Sequence, residues 1–460
     1  MPSENNILSF IHDTKFSDLP SDVIAMAERC CLDLIGVTVA GRHTDLARII
    51  TEHAISFFGT GKEAVAIPFT GEVASPVGAA LAMGMTIDGF DAHDGHRLTK
   101  GHAGAAILPA LLAYSYDLAN EERDIDGREF LTALTIGYEI SLRAGIALHA
   151  TACDYHTSGA WNAIGAAAMG ARLLKLDLDQ TRHALGIAEY HGPRSQMMRC
   201  IDHPTMLKDG SGWGAMAGVS AAYMARSGFT GAPAITLEGK DVSPFWESLC
   251  QEWEILAQYF KPYPVCRWAQ PAIQAVSDLM EKQTLDHQSI EKIEIRTFHE
   301  GLCLAGHNPK TTEEAQYAIA FPVAALIVRG TLGASEIAPE ALSDQSILTL
   351  SNKILLSETD EYNARFPGER WADVTITFNS GTEITTPATC PIGDPENPLS
   401  DSHILRKFHT LCSGSLHRKT AEDIVQSVES LKSEHNTLSS LLELLKHPVS
   451  SAGCSHKKSM

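Results

Sequence analysis

Several features that mark special classes of protein are missing from this sequence. Its 10 cysteines among 460 residues include no C-x-x-C pair and show no disulfide-framework spacing, which favours free thiols in a reducing compartment. No stretch approaches the roughly 18 uninterrupted apolar residues of a membrane-spanning helix. The N-terminus lacks a basic region followed by an apolar core, so we expect no signal peptide and a cytoplasmic protein.

Positive charge is also scarce. Lysine and arginine number 36 against 56 aspartates and glutamates, which gives a net charge of −20. An acidic surface repels nucleic acid and anionic lipids, so neither is expected as the main partner. An anionic substrate would therefore need a local basic pocket. The hydrophobic fraction of 44% and the charged fraction of 20% are those of an ordinary globular protein.

Helices with many small residues dominate the first half of the chain. Apolar spacing after Leu19 predicts a helix that ends near Gly41, and a second helix is predicted over residues 44–58. Ser75 and Pro76 stand as the N-cap and first residue of another helix. Later helical runs are rich in Gly and Ala, although glycine inside a helix costs about 1 kcal/mol relative to alanine. We therefore expect close packing of helix backbones.

The pattern changes after Lys261. Apolar and polar residues alternate over residues 290–298 and 372–379, which predicts half-exposed strands, and a third strand is predicted over residues 382–387. An apolar helical run lies between the first two strands. The Pro-, Gly- and Asn-rich residues 393–400 indicate a linker, and helical patterns return after it.

Residues 87–109 hold the densest group of reactive side chains, between two apolar helical runs. Residues 88–103 alone contain three aspartates, three histidines, one arginine and one lysine. Imidazoles and carboxylates on a loop between buried helices suit acid–base chemistry on a small molecule. The alternative is a solvated connection between helices, but such connections rarely carry three histidines so close to buried helices.

Four further clusters have side chains suited to the same site. Asp154, Tyr155 and His156 precede a helix, whose free N–H groups favour a carboxylate or phosphate. The other three clusters are the polar segment from His191 to Arg199, Lys208 before a glycine-rich helix, and a junction segment that contains Lys261, Tyr263, Cys266 and Arg267. The basic residues would supply the positive charge that the acidic surface lacks. For each lysine alone, a surface salt bridge is an equal alternative.

These segments occur in the order found in the MmgE/PrpD family, and the sequence resembles a divergent member of it. The resemblance extends from about residue 5 to residue 445. It is carried by LPSDVIAMAERCCLDLIGVTVAG, TIDGFD with GHAGAAILPALLA, the Lys208 segment, KPYP with CRW, and GDPENPLSDSHILRKF. The family includes 2-methylcitrate dehydratase, cis-aconitate decarboxylase and iminodisuccinate epimerase.

The resemblance implies a mostly α fold, in which a large all-helical domain carries the site beside a smaller α+β lid domain. We predict the helical domain over residues 1–262 and the α+β domain over 263–395. C-terminal helices over 396–450 are expected to pack back on the helical domain, and 451–460 to be a disordered tail. The resemblance also implies a homodimer and chemistry without a metal or an organic cofactor.

Site residues follow from the resemblance position by position. His102 and His156 match the proton-transfer histidines, and Asp88 or Asp91 matches the loop acid. Lys208 and Lys261 match the family's two lysines and are expected to bind the substrate. Arg267, Tyr155, His93 and His96 are expected to bind it as well, from their side chains and positions in this sequence rather than from the resemblance. Two departures stand out: Cys266 occupies a position where the decarboxylase has histidine, and His93 and His96 are additions to the family's loop.

The expected activity is that of a cofactor-free lyase acting on a small di- or tricarboxylate, by dehydration or decarboxylation through a carbanion-like intermediate. One alternative is an epimerase that removes and returns a proton. A second is a metal-dependent hydrolase that uses the loop from Asp91 to His102, although no HExxH spacing is present. A thiol hydrolase at Cys266 lacks the signatures of nucleophilic cysteines. A catalytically inactive member is disfavoured because both histidines and both lysines are retained.

Overall fold

A computed structural model describes residues 4–59, 64–304, 306–434 and 438–450. The predicted disordered tail, 451–460, lies outside the described residues. The α-helices are α1 (Glu4–Asp13), α2 (Ser21–Gly41), α3 (Asp45–Phe57), α4 (Pro76–Asp88), α5 (Gly104–Asn120), α6 (Gly127–Thr151), α7 (Gly159–Leu173), α8 (Leu178–His191), α9 (Met198–Asp202), α10 (Ser211–Arg226), α11 (Ile235–Glu238), α12 (Gln270–Lys282), α13 (His299–Leu302), α14 (Thr312–Gln316), α15 (Ala320–Arg329), α16 (Gln345–Ser351), α17 (Asp360–Arg365), α18 (Asp401–Cys412), α19 (Arg418–Ser430) and α20 (Ser439–Lys446). The strands are β1 (Val65–Ala66), β2 (Val73–Ala74), β3 (Gly95–His96), β4 (Gln258–Tyr259), β5 (Ile290–Thr297), β6 (Ile354–Glu358), β7 (Asp373–Phe378) and β8 (Glu383–Thr385).

The chain divides into two compact units. The first, which we call the helical unit, comprises Met1–Gln196, Asp209–Gln258 and Ser400–Met460. The second, which we call the sheet unit, comprises Met197–Lys208 and Tyr259–Leu399. Helix accounts for 58% of the residues and strand for 8%, which confirms the predicted mostly α fold. The sheet unit includes Met197–Lys208, a segment that the predicted boundaries assign to the helical domain.

The core of the helical unit is built from helices that approach closely. Helix α7 packs against α6 and α10, and α10 packs against α4, α5 and α8. A Cβ atom added at Gly212 of α10 would lie 2.6 Å from the carbonyl oxygen of Leu81 on α4. One added at Gly84 of α4 would lie 2.6 Å from the Gly212 Cα. Glycine at both positions therefore fixes the end of α4 beside the start of α10, as the Gly- and Ala-rich runs predicted.

Helix α6 has the length and composition that would allow a helix to cross a membrane, alone among the described helices. Its most apolar window has a mean hydropathy of 1.2. However, 94% of that window is buried inside the protein. Helix α6 thus uses its apolar residues in the helical core, where it packs against α7.

The sheet unit contains a four-stranded sheet in the order β6-β5-β7-β8. Strand β5 pairs with β6 in parallel and with β7 in antiparallel register, and β7 pairs antiparallel with β8. Ile293, Ile295 and Thr297 of β5 are buried, whereas Arg296 between the last two is exposed. This alternation confirms the half-exposed strand predicted there. Helix α12 packs on β7 and on α15.

Candidate active site

The reactive loop begins where α4 ends. Asp88 is the last residue of α4, and its Oδ2 accepts a 2.8 Å hydrogen bond from the backbone N–H of Ser211, the first residue of α10. The residue before Ser211, Gly210, has no side chain with which to cap the helix. The Asp88 carboxylate therefore takes the place of a cap, at a helix end that favours negative charge.

Four of the predicted residues come together in the helical unit, and we call Asp88, Asp91, His93 and His102 the loop cluster. The Nε2 atom of His93 lies 3.9 Å from Asp88 Oδ1 and 4.0 Å from Asp91 Oδ1. The rings of His93 and His102 meet edge to face with their centroids 4.2 Å apart. His93 and both aspartates are buried, whereas His102 is partly exposed. The cluster thus holds two imidazoles and two carboxylates, and His102 is its one partly exposed residue.

Backbone carbonyls orient both imidazoles of the loop cluster. The Nδ1 atom of His102 lies 2.6 Å from the carbonyl oxygen of Asp94, and that of His93 lies 3.4 Å from the carbonyl oxygen of Phe90. A carbonyl oxygen only accepts hydrogen bonds, so the short contact assigns the proton of a neutral His102 to Nδ1. Its Nε2 then carries the lone pair that a general base requires.

Asp94 is one restraint on the position of the loop. Its carboxyl group is fully buried, and the Tyr138 hydroxyl donates a 2.8 Å hydrogen bond to its Oδ2. Burial raises the pKa of Asp94 to about 7, although the Tyr138 hydrogen bond opposes the shift. Because the Asp94 backbone carbonyl orients His102, the Asp94–Tyr138 contact also restrains the histidine.

Lys407 of α18 is a second restraint on the loop, and it was not predicted. Its Nζ donates to Asp33 Oδ1 at 2.6 Å and to the backbone carbonyl of Ala92 at 2.5 Å. Ala92 precedes His93 directly, so the C-terminal helix fixes the backbone of the loop cluster. The two residues stand 315 positions apart in the sequence. Lys407 lies in the segment GDPENPLSDSHILRKF, but nothing in that segment indicated a contact with the loop.

A second segment runs beside the loop at Ser158. The Ser158 hydroxyl accepts a 2.9 Å hydrogen bond from the backbone N–H of His102 and donates a 2.5 Å bond to Asp209 Oδ2. A Cβ atom added at Gly101 would lie 2.4 Å from Ser158 Oγ, so this approach requires glycine. The segment that contains the predicted His156 is therefore adjacent to the loop that contains His102.

His156 lies in a group of aromatic and basic side chains. The Tyr155 hydroxyl donates to the backbone carbonyl of Lys100, and the Lys100 ammonium lies 4.5 Å from the centre of the Tyr155 ring. The backbone N–H of His156 donates to His149 Nε2 at 3.2 Å. Burial lowers the pKa of His149 to about 4, and burial with the charge of Arg194 lowers the pKa of His156. Both shifts favour the neutral imidazole, and His149 uses its Nε2 as an acceptor.

His96 pairs with a glutamate outside the loop cluster. Its Nε2 lies 3.3 Å from Glu254 Oε2, and the histidine is buried. Burial raises the pKa of Glu254, but the hydrogen bond with His96 and the charges of His96 and Arg143 together outweigh burial, so the net pKa is lowered. The proximity of His93 and His96 in sequence suggested one shared role, yet only His93 joins the loop cluster.

The three predicted cations belong to the sheet unit, and all are buried: Lys208, Lys261 and Arg267. The Lys208 Nζ donates to Gln316 Oε1 at 2.8 Å and lies 4.7 Å from the centre of the Tyr317 ring. Within the described part of its own unit, Lys208 has no carboxylate partner. Its φ of +49° is a left-handed conformation that a residue with a side chain rarely adopts, and such strain clusters at functional sites.

Arg267 is held within the sheet unit by several groups. Its guanidinium lies 3.0 Å from Asp394 Oδ1 and donates to Gln270 Oε1 and to the backbone carbonyl of Ile392, each at 3.0 Å. The guanidinium also lies 4.7 Å from the centre of the Tyr259 ring. These contacts give Arg267 a structural role. The sequence predicted only that Arg267 binds the substrate.

Comparison with known proteins decides the family. The model of the MmgE/PrpD N-terminal domain matches residues 5–253, and that of the MmgE/PrpD C-terminal domain matches residues 263–433. The chain belongs to the MmgE/PrpD family. Membership confirms the resemblance and the architecture of a larger helical N-terminal domain and a smaller mixed C-terminal one.

Curated relatives within the MmgE/PrpD family are enzymes. The chain is 25% identical to a cis-aconitate decarboxylase from Aspergillus terreus, across 94% of this chain and 94% of that protein. It is 24% identical to a cis-aconitate decarboxylase from Mus musculus, across 95% of this chain and 92% of the relative. The similarity therefore spans both units, at an identity low enough to make this chain a divergent member.

Proposed function

We propose that this protein is a lyase that acts on a small di- or tricarboxylate through a carbanion-like intermediate. The observation that carries the proposal is the orientation of His102. Its Nδ1 is bound by the Asp94 carbonyl at 2.6 Å, so that Nε2 is the basic atom of a partly exposed ring. A positioned general acid or base of this kind contributes about 10²–10⁴-fold to a rate.

Buried carboxylates support the proton transfers at this ring. Asp88 and Asp91 stand beside His93, whose ring touches that of His102. A carboxylate near an imidazole stabilises the positive charge that develops as the imidazole accepts a proton. We assign His156 as the second proton-transfer residue, because its lowered pKa keeps the ring neutral near pH 7.

Lys208 is the best-supported ligand for a substrate carboxylate. A buried ammonium is unfavourable without a negative partner, and the described part of its own unit supplies only an amide oxygen and an aromatic ring. A substrate carboxylate would complete its environment and would also be stabilised as enolate-like charge develops. Lys261 is assigned the same role from its burial and its match to the family pattern.

The relatives' names make decarboxylation of cis-aconitate the first reaction to test. In that reaction the bond to a carboxylate carbon breaks and carbon dioxide leaves. The electron pair that remains on carbon takes a proton from His102 Nε2, which must first have taken that proton up from water. Dehydration or epimerisation would begin with removal of a proton by Nε2 instead. The same residues serve each reaction, so the products decide among them.

The experiment is incubation with cis-aconitate and a panel of other di- and tricarboxylic acids in deuterated water, followed by NMR. We expect loss of carbon dioxide with deuterium on the new C–H bond, or a new alkene from a hydroxy acid. Exchange of deuterium without any other product would identify an epimerase and would contradict the lyase proposal. No exchange or product from the whole panel would reject acid–base chemistry on carboxylates.

A further inference from the structure

Three members of the loop cluster have the side chains and the spacing of a metal site. Asp91, His93 and His102 each offer one ligand atom, and these three atoms all lie within 4.8 Å of one another. The set is two imidazoles and one carboxylate, the donor combination found around zinc and non-haem iron. We propose that Asp91, His93 and His102 bind a divalent transition-metal ion.

The distances require only a small rearrangement. Zinc lies about 2.0–2.2 Å from nitrogen and oxygen ligands, so two ligand atoms at tetrahedral positions are about 3.4 Å apart. Separations of up to 4.8 Å must therefore shorten by at most about 1.4 Å, which side-chain rotations can supply. The three residues leave further coordination positions for water or a substrate oxygen.

The surroundings of His102 match those of a metal ligand. A metal-binding histidine almost always donates its other ring N–H to a carbonyl or carboxylate, which fixes the ring and its tautomer. His102 makes this contact through Nδ1 to the Asp94 carbonyl at 2.6 Å. His93 has a longer version of it, 3.4 Å from the Phe90 carbonyl. Both rings therefore present Nε2 as the atom that binds an ion.

A second carboxylate of the loop cluster lies close to the proposed ligands. Asp88 adds a second carboxylate, 3.9 Å from His93 Nε2, within a cluster whose histidines are neutral when they bind a metal. Imidazole ligands select transition metals over calcium and magnesium, which prefer an all-oxygen environment. Zn²⁺ is therefore the appropriate probe.

Occupation of this site would compete with the reaction proposed above. An ion on His102 Nε2 uses the lone pair that would otherwise accept a proton. We expect Zn²⁺ to inhibit turnover and a chelator to restore it; this consequence rests on the proposed function, whereas the metal site itself does not.

The test is a titration of the metal-free full-length protein with Zn²⁺ in competition with a chromophoric chelator, without substrate. We expect one ion per chain at micromolar affinity or tighter. Asp91→Asn and His93→Asn should each weaken binding at least tenfold. His96→Asn is the matched control, because His96 is a buried histidine of the same loop that pairs with Glu254. The control should bind zinc within twofold of the unaltered protein.

Absence of the stoichiometric ion would overturn the inference, as would equal affinity in the His93→Asn and His96→Asn variants. Since substitutions in a buried loop can impair folding, Co²⁺ absorption of the unaltered protein is a second measurement. Visible bands typical of a tetrahedral or five-coordinate nitrogen–oxygen site would support the proposal, and the spectrum of aqueous Co²⁺ would contradict it.

The two proposals fail in different ways. If zinc binds as expected but turnover requires the metal, the metal site stands and the cofactor-free lyase is wrong. If turnover proceeds in the presence of chelator and zinc does not bind, the lyase stands and the metal site is wrong.

Discussion

The two units differ in how their buried charges are balanced. In the loop cluster of the helical unit, imidazoles stand beside the carboxylates of Asp88 and Asp91, and backbone carbonyls set their orientation. In the sheet unit, Arg267 is paired with a buried carboxylate, whereas Lys208 contacts only an amide oxygen and an aromatic ring in the described part of that unit. Two buried cations of the same unit therefore have unequal environments.

From this difference we infer which of the two cations is structural and which binds the substrate. The ion pair between Arg267 and Asp394 balances the two charges without a ligand. The Gln316 amide is oriented by its own hydrogen bond to Thr312 Oγ1 at 3.0 Å, so that its oxygen faces Lys208. No carboxylate among the described residues of the sheet unit pairs with this lysine. Lys208 is thus the cation on which substrate binding should depend, and Arg267 the one on which stability should depend.

The largest effect is expected from Arg267→Met. Removal of the guanidinium leaves the Asp394 carboxylate buried without its cation, and breaking a buried pair in this way costs about 3–5 kcal/mol. The free energy of unfolding in guanidinium chloride measures the loss. The double variant Arg267→Met, Asp394→Leu should recover much of it. If Arg267→Met were as stable as the unaltered protein, the assignment of Arg267 as structural would be wrong.

Lys208→Met is expected to produce the opposite result. Turnover at subsaturating substrate should fall about 100-fold, since a charged hydrogen bond to a carboxylate contributes about 1.5–3 kcal/mol. Stability should be unchanged or higher, because the variant no longer buries an uncompensated charge. Initial rates and thermal unfolding of the same preparation test both expectations. A Lys208→Met variant that unfolds at a lower temperature but keeps its turnover would show that Lys208 is a structural cation and does not bind the substrate.

Lys407→Met tests how the loop cluster is positioned. The substitution removes the contacts with the Ala92 carbonyl and with the buried Asp33 carboxylate, so we expect lower stability. We also expect kcat to fall about tenfold with little change in KM. Lys407→Arg retains a donor and should restore part of the rate. If Lys407 had only a structural role, its substitution would lower stability without lowering kcat selectively. A kcat of Lys407→Met equal to that of the unaltered protein would therefore contradict the positioning role.

The smallest effect concerns His149, whose pKa is lowered from 6.5 to about 4 by burial. The folded state binds fewer protons at this residue than the unfolded state does between those two values. Stability must therefore fall as the pH decreases from 6.5 towards 4. His149→Gln keeps an acceptor for the His156 N–H and removes this titration, so its stability at pH 5 should fall by about 1 kcal/mol less than that of the unaltered protein. Denaturant unfolding curves of the unaltered protein and of His149→Gln at pH 7 and pH 5 measure these losses. An equal loss of stability in the two proteins would contradict the expectation.

Local patterns predicted much of the fold. The helices predicted to end near Gly41 and to cover 44–58 are α2 and α3, and the alternation over 290–298 is β5. Strand β6, Ile354–Glu358, was missed because it is a sheet edge, with only its first residue buried, and so carries no clear alternation. Alternation of apolar and polar residues reflects alternating burial. An exposed edge strand has too few buried residues to produce a detectable alternation.

The candidate site was predictable where it is contiguous in sequence. The loop cluster lies within a short stretch of sequence, so the density of histidines and aspartates there was enough to predict a site. The partners of His96, Arg267 and Ala92 come from distant segments, and a side chain such as Lys407 has the same local sequence signal whether it faces solvent or a buried carbonyl. The role of such residues depends on tertiary contacts that no spacing rule encodes.

The central claim is that His102 is the proton-transfer residue of a carboxylate lyase. The most direct measurement compares deuterium incorporation and product formation from cis-aconitate by the unaltered protein, His102→Asn and His403→Asn, the last an exposed histidine of α18. The account predicts that His102→Asn loses at least about 100-fold of the rate while His403→Asn retains it. Full turnover by His102→Asn would contradict the claim.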